Sequence, residues 1–279
     1  MTIKIYQTFH KPFPYIKSDW IQPIGVGGYS ETGFVKDNVG DNIAHLNPYY
    51  AEFTSWYWAW KNDCDYDTIG FYHYRRYLHL KHHDEDFTWG GKIDKGSHFQ
   101  VDFEDNPHML EKVTSEEYKN IITDTMKSTD VIAGFPMRFP VTVTEQWAQH
   151  HPMPALFTFL EELKNQYSND QDAINSYFSQ YGQIVWPILI LKGSVFKKLC
   201  ESLFPVLDRV FARIGTPYDA YQNRYLCFLV ERFIPFWLSM ERMHPRFFPT
   251  ITFYNNSNHP LTPGQVMGKK NGTYTQKGF

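Results

Sequence analysis

His73-Tyr74-Arg75-Arg76-Tyr77 sets two guanidiniums among aromatic rings, directly after the apolar run Thr68-Ile69-Gly70-Phe71. The run reads as a buried strand, and a guanidinium at its end is costly to desolvate unless it meets an anion. Two anions are open. One is a diphosphate group of a ligand, which Arg75 and Arg76 would hold in paired hydrogen bonds. The other is a carboxylate of the chain itself, with Glu52 or Glu231 as the partner. Near the other end, Arg224, Glu231 and Arg232 share one predicted helix, with Glu231 two turns from Arg224. Glu231 there either orients an arginine structurally, or leaves Arg224 or Arg232 to reach the same anion.

Other clusters carry less. Gly25, Gly27 and Gly28 lack the spacing and the following long helix of a nucleotide-binding fingerprint. His82-His83 with Asp84 and Asp86, and His150-His151, look like metal ligands. Adjacent side chains point apart on a helix or strand, however, and no H-x-x-x-H with a supporting carboxylate occurs. The cysteines, Cys64, Cys200 and Cys227, form no C-x-x-C, which argues against a disulfide framework and a zinc site.

The whole chain narrows the classes further. At 279 residues it is long enough to bury a substantial core. Its net charge of −3 gives no basic field for nucleic acid. Aromatics make up 18% of the chain, so rings beyond those needed for packing are available as flat walls for sugars or bases. The start, MTIKIYQTFHKPF, has no apolar core of a signal peptide, and no run reaches membrane-spanning length. The expectation is a cytoplasmic protein, with peripheral contact at the inner face of the membrane left open.

These groups need elements to position them. Residues 3–8 alternate as a strand, and 23–27 form a strand or turn. Pro48 suits the first position of a helix that Asn47 caps and that runs to about residue 62. Residues 68–74, 130–135 and 186–191 read as further strands. Helices are expected from Ser115 to about Ser128, from near Thr144 to a break at Pro152 and Pro154, and on to Tyr167. Two more are expected from about 195 to 213 and from Asp219 to Met240, the last ended or kinked by Pro235. Residues 81–111 read as a mobile insertion, and 255–279 as a loop-rich or partly disordered tail, leaving one domain over 1–254 with a helical part at 195–240. Strands alternating with helices form one doubly wound α/β sheet, whose ligands bind beyond the strands' carboxyl ends. That rule places His10-Lys11, His73 to Tyr77, and the chain from Pro136 on one rim.

The ordered set TFHKPF, GDNI, NPYYAEFTSWYWAWKN, IGFYHYRRY, TEQW and YQNRYLCFLVERF, over about residues 3–240, resembles a bacterial glycosyltransferase family of capsule and exopolysaccharide clusters, long catalogued as a domain of unknown function. The resemblance implies a variant of the GT-A nucleotide-sugar fold, a mixed central sheet flanked by helices with a helical C-terminal part. It also implies a UDP-sugar donor, galactofuranose as the sugar, and a glycan or lipid-linked oligosaccharide acceptor. Departures from the usual pattern, Thr144, Trp147 and VWPILIL among them, fall on the acceptor side.

Glycosyl transfer builds negative charge on a departing diphosphate, which a metal ion or fixed cations must stabilise. GT-A enzymes ordinarily place a D-x-D after the strand that corresponds to 68–74. Here that place holds His73, Tyr74, Arg75 and Arg76, while Asp65-Tyr66-Asp67 precedes the strand. Metal-independent transfer is therefore expected, with Arg75 and Arg76 in the metal's role and no Mg²⁺ or Mn²⁺ required. An inverting reaction needs a base for the acceptor hydroxyl. Glu145 at a helix start is the first candidate, its alternative role being to answer the helix dipole, and Asp219 is the reserve. Thr8, His10, Lys11, His73 and Tyr74 are donor contacts on this reading. Asp41 and Asn42 bind hydroxyls or shape a loop, and His151 orients the acceptor. A non-catalytic carbohydrate-binding protein, and a transferase of a pyranose or of phosphate, are the alternatives; the chain has no phosphate-binding G-x-x-x-x-G-K-[ST] loop.

Overall fold

The computed structural model describes residues 1–81, 98–102 and 106–254, together with the backbone of 267–270 and 273–276. The chain begins with β1 (Ile3–Phe9), β2 (Ile21–Gly25), β3 (Val35–Lys36), α1 (Asn47–Tyr50), α2 (Phe53–Asn62), β4 (Thr68–His73) and β5 (Arg76–Leu78). There follow β6 (His98–Asp102), α3 (His108–Val113), α4 (Glu116–Thr125), β7 (Val131–Gly134), β8 (Met137–Arg138), α5 (Val143–His150) and α6 (Met153–Gln166). Then come α7 (Gln171–Phe178), β9 (Gly182–Gln183), β10 (Leu189–Lys192), α8 (Gly193–Ile214) and α9 (Tyr225–Met240). The last strands are β11 (Arg246–Phe248), β12 (Thr250–Tyr254), β13 (Met267–Lys270) and β14 (Thr273–Gln276).

The main sheet runs in the order β3-β2-β1-β4-β10-β7-β11. β1 lies parallel to β2 and β4, and β7 parallel to β11, while β10 runs antiparallel between β4 and β7. The sheet is therefore mixed α/β, with helices on its faces. Alternation along the strands divides the core. Tyr6, Ile69, Phe71, Leu189 and Leu191 face the layer built from α2, α6, α8 and α9. Ile5, Tyr72, Ile132 and Ile190 face the opposite layer with α3, α4, β5, β6 and β12. At the centre a Cβ on Gly70 would stand 2.4 Å from Ile5 Cδ1 and 2.9 Å from Ile190 Cγ1. That crowding requires glycine where the two layers meet through the sheet.

Several expectations are corrected. The helix predicted over 48–62 breaks at Ala51, whose φ of 49° lies in the left-handed region. Asn47 does not cap it; its amide donates instead to the Ala51 carbonyl at 2.8 Å, tying down the break. Residues 98–102 and 108–111 of the expected loop belong to β6 and α3; residues 82–97 and 103–105 of that stretch lie outside the described residues. Trp186 is not in a strand, and β10 starts at Leu189. The segment from Asp219 is a turn with a 3-10 stretch at Gln222–Arg224, and α9 starts at Tyr225. Pro235 neither ends nor interrupts α9. That helix is buried on nearly every side, so packing outweighs the roughly 3 kcal/mol that an internal proline costs. In the expected tail, β13 and β14 pair antiparallel, and the other residues from 255 onward lie outside the described ones. Among the described residues, no helix is long and apolar enough to cross a membrane.

Candidate active site

The two arginines of the opening motif sit at a chain reversal. His73 pairs with Arg76, so β4 turns into β5 through Tyr74 and Arg75. The turn is pinned from both sides: Tyr74 N donates to the Thr8 carbonyl at 2.9 Å, and the Arg75 carbonyl accepts from Phe253 N at 2.8 Å. It lies at the carboxyl ends of the parallel strands β1 and β4, where ligands bind in open α/β sheets. The 3-10 stretch before α9 brings Arg224, and α9 brings Glu231, to the same place. Arg75, Arg76 and Arg224 all lie within electrostatic reach of His73, and Arg76 and Arg224 also act on Glu231.

Each cation rests on a ring. Arg75 stands 5.6 Å from the centre of Tyr74, Arg76 5.2 Å from Trp186, Arg224 5.7 Å from Phe228, and Lys11 5.6 Å from Tyr74. Such contacts hold a guanidinium flat without neutralising it. Among the described residues no carboxylate makes an ion pair with Arg75, Arg76 or Arg224, and the Nε atoms of Arg75 and Arg76 are buried without an acceptor. The two glutamates expected to answer them are near but occupied elsewhere. Glu231 pairs with Arg232 at 3.2 Å, and Glu52 accepts a contact from the Cys227 thiol at 3.8 Å. Four guanidiniums therefore face two carboxylates, leaving at least two positive charges for an outside anion.

Burial, more than this field, sets the shifts of the neighbouring groups. Burial, with Arg76 next, holds His73 well below the ordinary imidazole value. Burial and the same arginines push His98 down to about 3. Both imidazoles are thus neutral at pH 7, and both leave a buried Nδ1 without a partner. Burial lowers Arg76 and raises Glu231, where the pull of Arg232 does not offset it. A raised carboxylate at an arginine-rich rim is the form a proton acceptor takes.

Backbone strain frames the same place. Trp186 has φ of 49°, a conformation that a bulky side chain adopts only under constraint, and its ring packs 4.2 Å from His98. Ala51, also at 49°, immediately precedes Glu52. Such outliers gather where a site fixes its side chains against local preference.

The other predicted residues separate. Thr8 is buried, its hydroxyl 3.0 Å from that of Ser55. His10 is exposed, with its ring 5.7 Å from His73 and 4.9 Å from Tyr74. Burial, with Arg75 next, lowers Lys11. Arg232 is almost fully buried, donating to the Phe228 carbonyl at 3.0 Å and to Gln146, with its guanidinium 5.2 Å from the Trp147 ring. His151 stacks on Phe228 at 4.1 Å and meets Gln222 through Nδ1 at 3.3 Å. Burial and Arg232 push it down to about 4.

Glu145 is exposed, and its carboxylate closes a capping box, accepting from Thr142 N at 2.8 Å and from the Thr142 hydroxyl at 2.9 Å. Asp219 accepts from the backbone of Tyr221 and Gln222 at 2.8 and 2.9 Å. Both carboxylates thus hold a chain turn. Asp41 and Asn42 are not brought to the rim. Asp41 is tied to Asn62 at the far end of α2, and Asn42 accepts from Ala44 N at 3.2 Å. Asp67 binds Thr2 N at 2.7 Å, at the amino end of β4. Among the described residues, no group of three or more His, Cys, Asp or Glu side chains converges as a metal site. Sequence reading missed Trp186 and His98 in the site; the only signal for Trp186 is a large ring directly before Pro187.

Residues 4–242 match a family described as a domain of unknown function, DUF4422. The chain belongs to this family. No curated protein matches it. Among solved structures, the DUF4422 chain is similar to the apo structure of WbbM, a bifunctional glycosyltransferase, with a TM-score of 0.78 at 22% identity. The match covers 91% of this chain and 46% of that one, so the chain spans about half the length of the protein it matches. At that identity the likeness establishes a shared fold.

Proposed function

We propose that the protein is a glycosyltransferase that moves a hexose from a UDP-sugar to a growing surface glycan, with inversion and without a metal ion. One observation carries the reading: Arg75, Arg76 and Arg224 converge at the carboxyl rim with no carboxylate of the described residues paired to them. A nucleoside diphosphate supplies the matching charge and the acceptors for the orphaned Nε donors. The fold shared with a glycosyltransferase supports the same class, and the GT-A architecture with galactofuranose as the sugar follows from the family resemblance. Pyranose transfer from the same donor class, or sugar binding without transfer, would use the same rim.

In the proposed reaction the acceptor hydroxyl attacks the anomeric carbon. A carbon–oxygen bond forms to the acceptor as the bond to the diphosphate breaks, and UDP leaves with the electron pair. The guanidiniums meet charge as it builds on the leaving oxygens, so their stabilisation is greatest in the transition state. The hydroxyl proton passes to a carboxylate. Glu231 is our choice, because it lies in the cluster while Glu145 and Asp219 cap turns; Glu145 is the alternative. Cytoplasmic placement at the membrane face belongs to this proposal as well.

Calorimetric titration with UDP, in EDTA and then in excess Mg²⁺, tests it. Binding is expected in EDTA, and Arg75→Ala/Arg76→Ala is expected to weaken it at least a hundredfold, two charge-assisted contacts being lost. Binding only with metal overturns the metal-free mechanism. No UDP binding in either condition overturns the nucleotide-sugar reading.

A further inference from the structure

Beyond Arg232, two adjoining grooves run along the C-terminal half of α9. One, of about 570 Å³, is lined by Tyr177, Gln180, Tyr181, Gln183 and Ser239 among others. The second, of about 430 Å³, shares Ile184, Pro235 and Ser239 with the first and continues to Arg242 and His244. Each volume falls within the roughly 300–1,000 Å³ of small-molecule sites. Arg232, Pro235 and Ser239 recur at helical spacing on one face of α9, over about 10 Å of helix. Arg232 also lies close enough to Tyr177 to pull against the rise that burial imposes on that phenol.

The lining is chemically selective. Gln183 is only 3% exposed; its Oε1 accepts from the Tyr177 hydroxyl at 3.4 Å, but its Nε2 has no acceptor among the described residues. A buried amide donor left unpaired costs stability unless something outside the chain accepts from it. Its strand is held against β8 so closely that a Cβ on Gly182 would stand 2.5 Å from the Met137 carbonyl oxygen. The backbone that carries Gln183 is thus fixed in place. Tyr181 beside it is 61% exposed and offers a ring to solvent. Among the described residues, no carboxylate lines either groove. Amides, a hydroxyl and an exposed ring together suit a polyhydroxylated ligand, and Arg138, Arg242 and His244 on the same lining accommodate acidic groups on it.

We propose that this groove is an extended subsite for the already assembled part of a glycan acceptor, with Gln183 Nε2 donating to a sugar hydroxyl and Tyr181 stacking on a sugar face. The inference rests on the glycosyltransferase reading and deepens it: the preferred acceptor is an oligosaccharide rather than a single sugar.

An array of hexose oligosaccharides of increasing length, with and without uronic acid residues, probed with the full chain in saturating UDP, tests it. Retention is expected to rise with oligosaccharide length. Gln183→Leu and Tyr181→Ala are each expected to weaken it about tenfold, the effect of one lost hydrogen bond or stacking contact, with calorimetric UDP affinity unchanged. Thermal unfolding checks that both variants fold, and Tyr181→Ala, at an exposed position, preserves the test should Gln183→Leu not fold. The proposal is overturned if the chain binds UDP but retains no oligosaccharide, or if folded variants retain it like the wild type. Retention that needs Gln183 without any UDP binding would keep the subsite and remove the transferase reading.

Discussion

The guanidinium of Arg76 stands 5.2 Å from the centre of the Trp186 ring, and Trp186 holds a φ of 49° to keep that ring there. A strained aromatic thus backs a cation whose Nε has no partner in the described protein. The ring orients the charge and leaves its hydrogen-bonding edge to a ligand. Trp186→Ala is therefore expected to weaken UDP binding by about two- to fivefold, the worth of one cation–π contact, with Trp186→Phe closer to wild type. Calorimetry on the two variants checks it. An unchanged affinity in Trp186→Ala would reduce the contact to packing.

Glu231 and Glu145 predict opposite kinetics. A base must be ionised, so the rate of acceptor-dependent UDP release should fall as pH drops through the raised value of Glu231. Glu231→Gln is expected to cut kcat by about 10²–10⁴ and remove that acid limb. Glu145→Gln keeps the capping box, because glutamine serves at that helix position as glutamate does, and kcat should stay close to wild type. The reverse pattern would make Glu145 the base.

Strands β1, β4 and β7 were legible because period-two burial is local: Ile5 and Tyr6 already show which face each side chain takes. The cationic motif was legible too, as an arginine pair at the end of a buried strand. Its hairpin was not, because Tyr74-Arg75 contains none of the residues that signal a two-residue turn. His98 was hidden for a different reason. Its strand exists through pairing with Thr250, far along the chain, and its own segment reads as polar loop. Trp186 sits in an apolar stretch that looks like strand, but its ring packs against His98 and Arg76 outside one. Glu145 shows the opposite limit: its helix-start position was read correctly, but its capping bonds to Thr142 emerge only from the structure.

Ala51 carries strain that a single substitution can remove. Its φ of 49° with ψ of −128° suits glycine and costs an L-residue about 1–3 kcal/mol. Ala51→Gly gives back part of that gain, about 0.4–1 kcal/mol, through the freer unfolded chain. A net stabilisation of about 1 kcal/mol is expected, a rise of roughly 2–4 °C in Tm. Ala51→Val should lower Tm instead. Differential scanning calorimetry decides it, and a fall in Ala51→Gly would show that the break is not strained.

His98 links the site to acid stability. Its folded value is pushed down to about 3 from the ordinary 6.5. Between those values the unfolded chain binds the proton and the folded chain does not, so stability rises with pH across that window. The contribution is fully present above the ordinary value and drains away as the pH falls toward the folded one. His98→Gln removes the titrating group, so its unfolding free energy should decline less than wild type from about pH 7 to about pH 4. Carboxylates shared by both proteins cancel in that difference. A bound diphosphate beside His73 and His98 would favour their protonated forms, so UDP binding near pH 6 should take up protons, visible as a buffer-dependent enthalpy. Loss of that uptake in His98→Gln would assign part of it to this ring. Parallel stability curves for the two proteins would show that His98 is not held neutral by burial and the arginines.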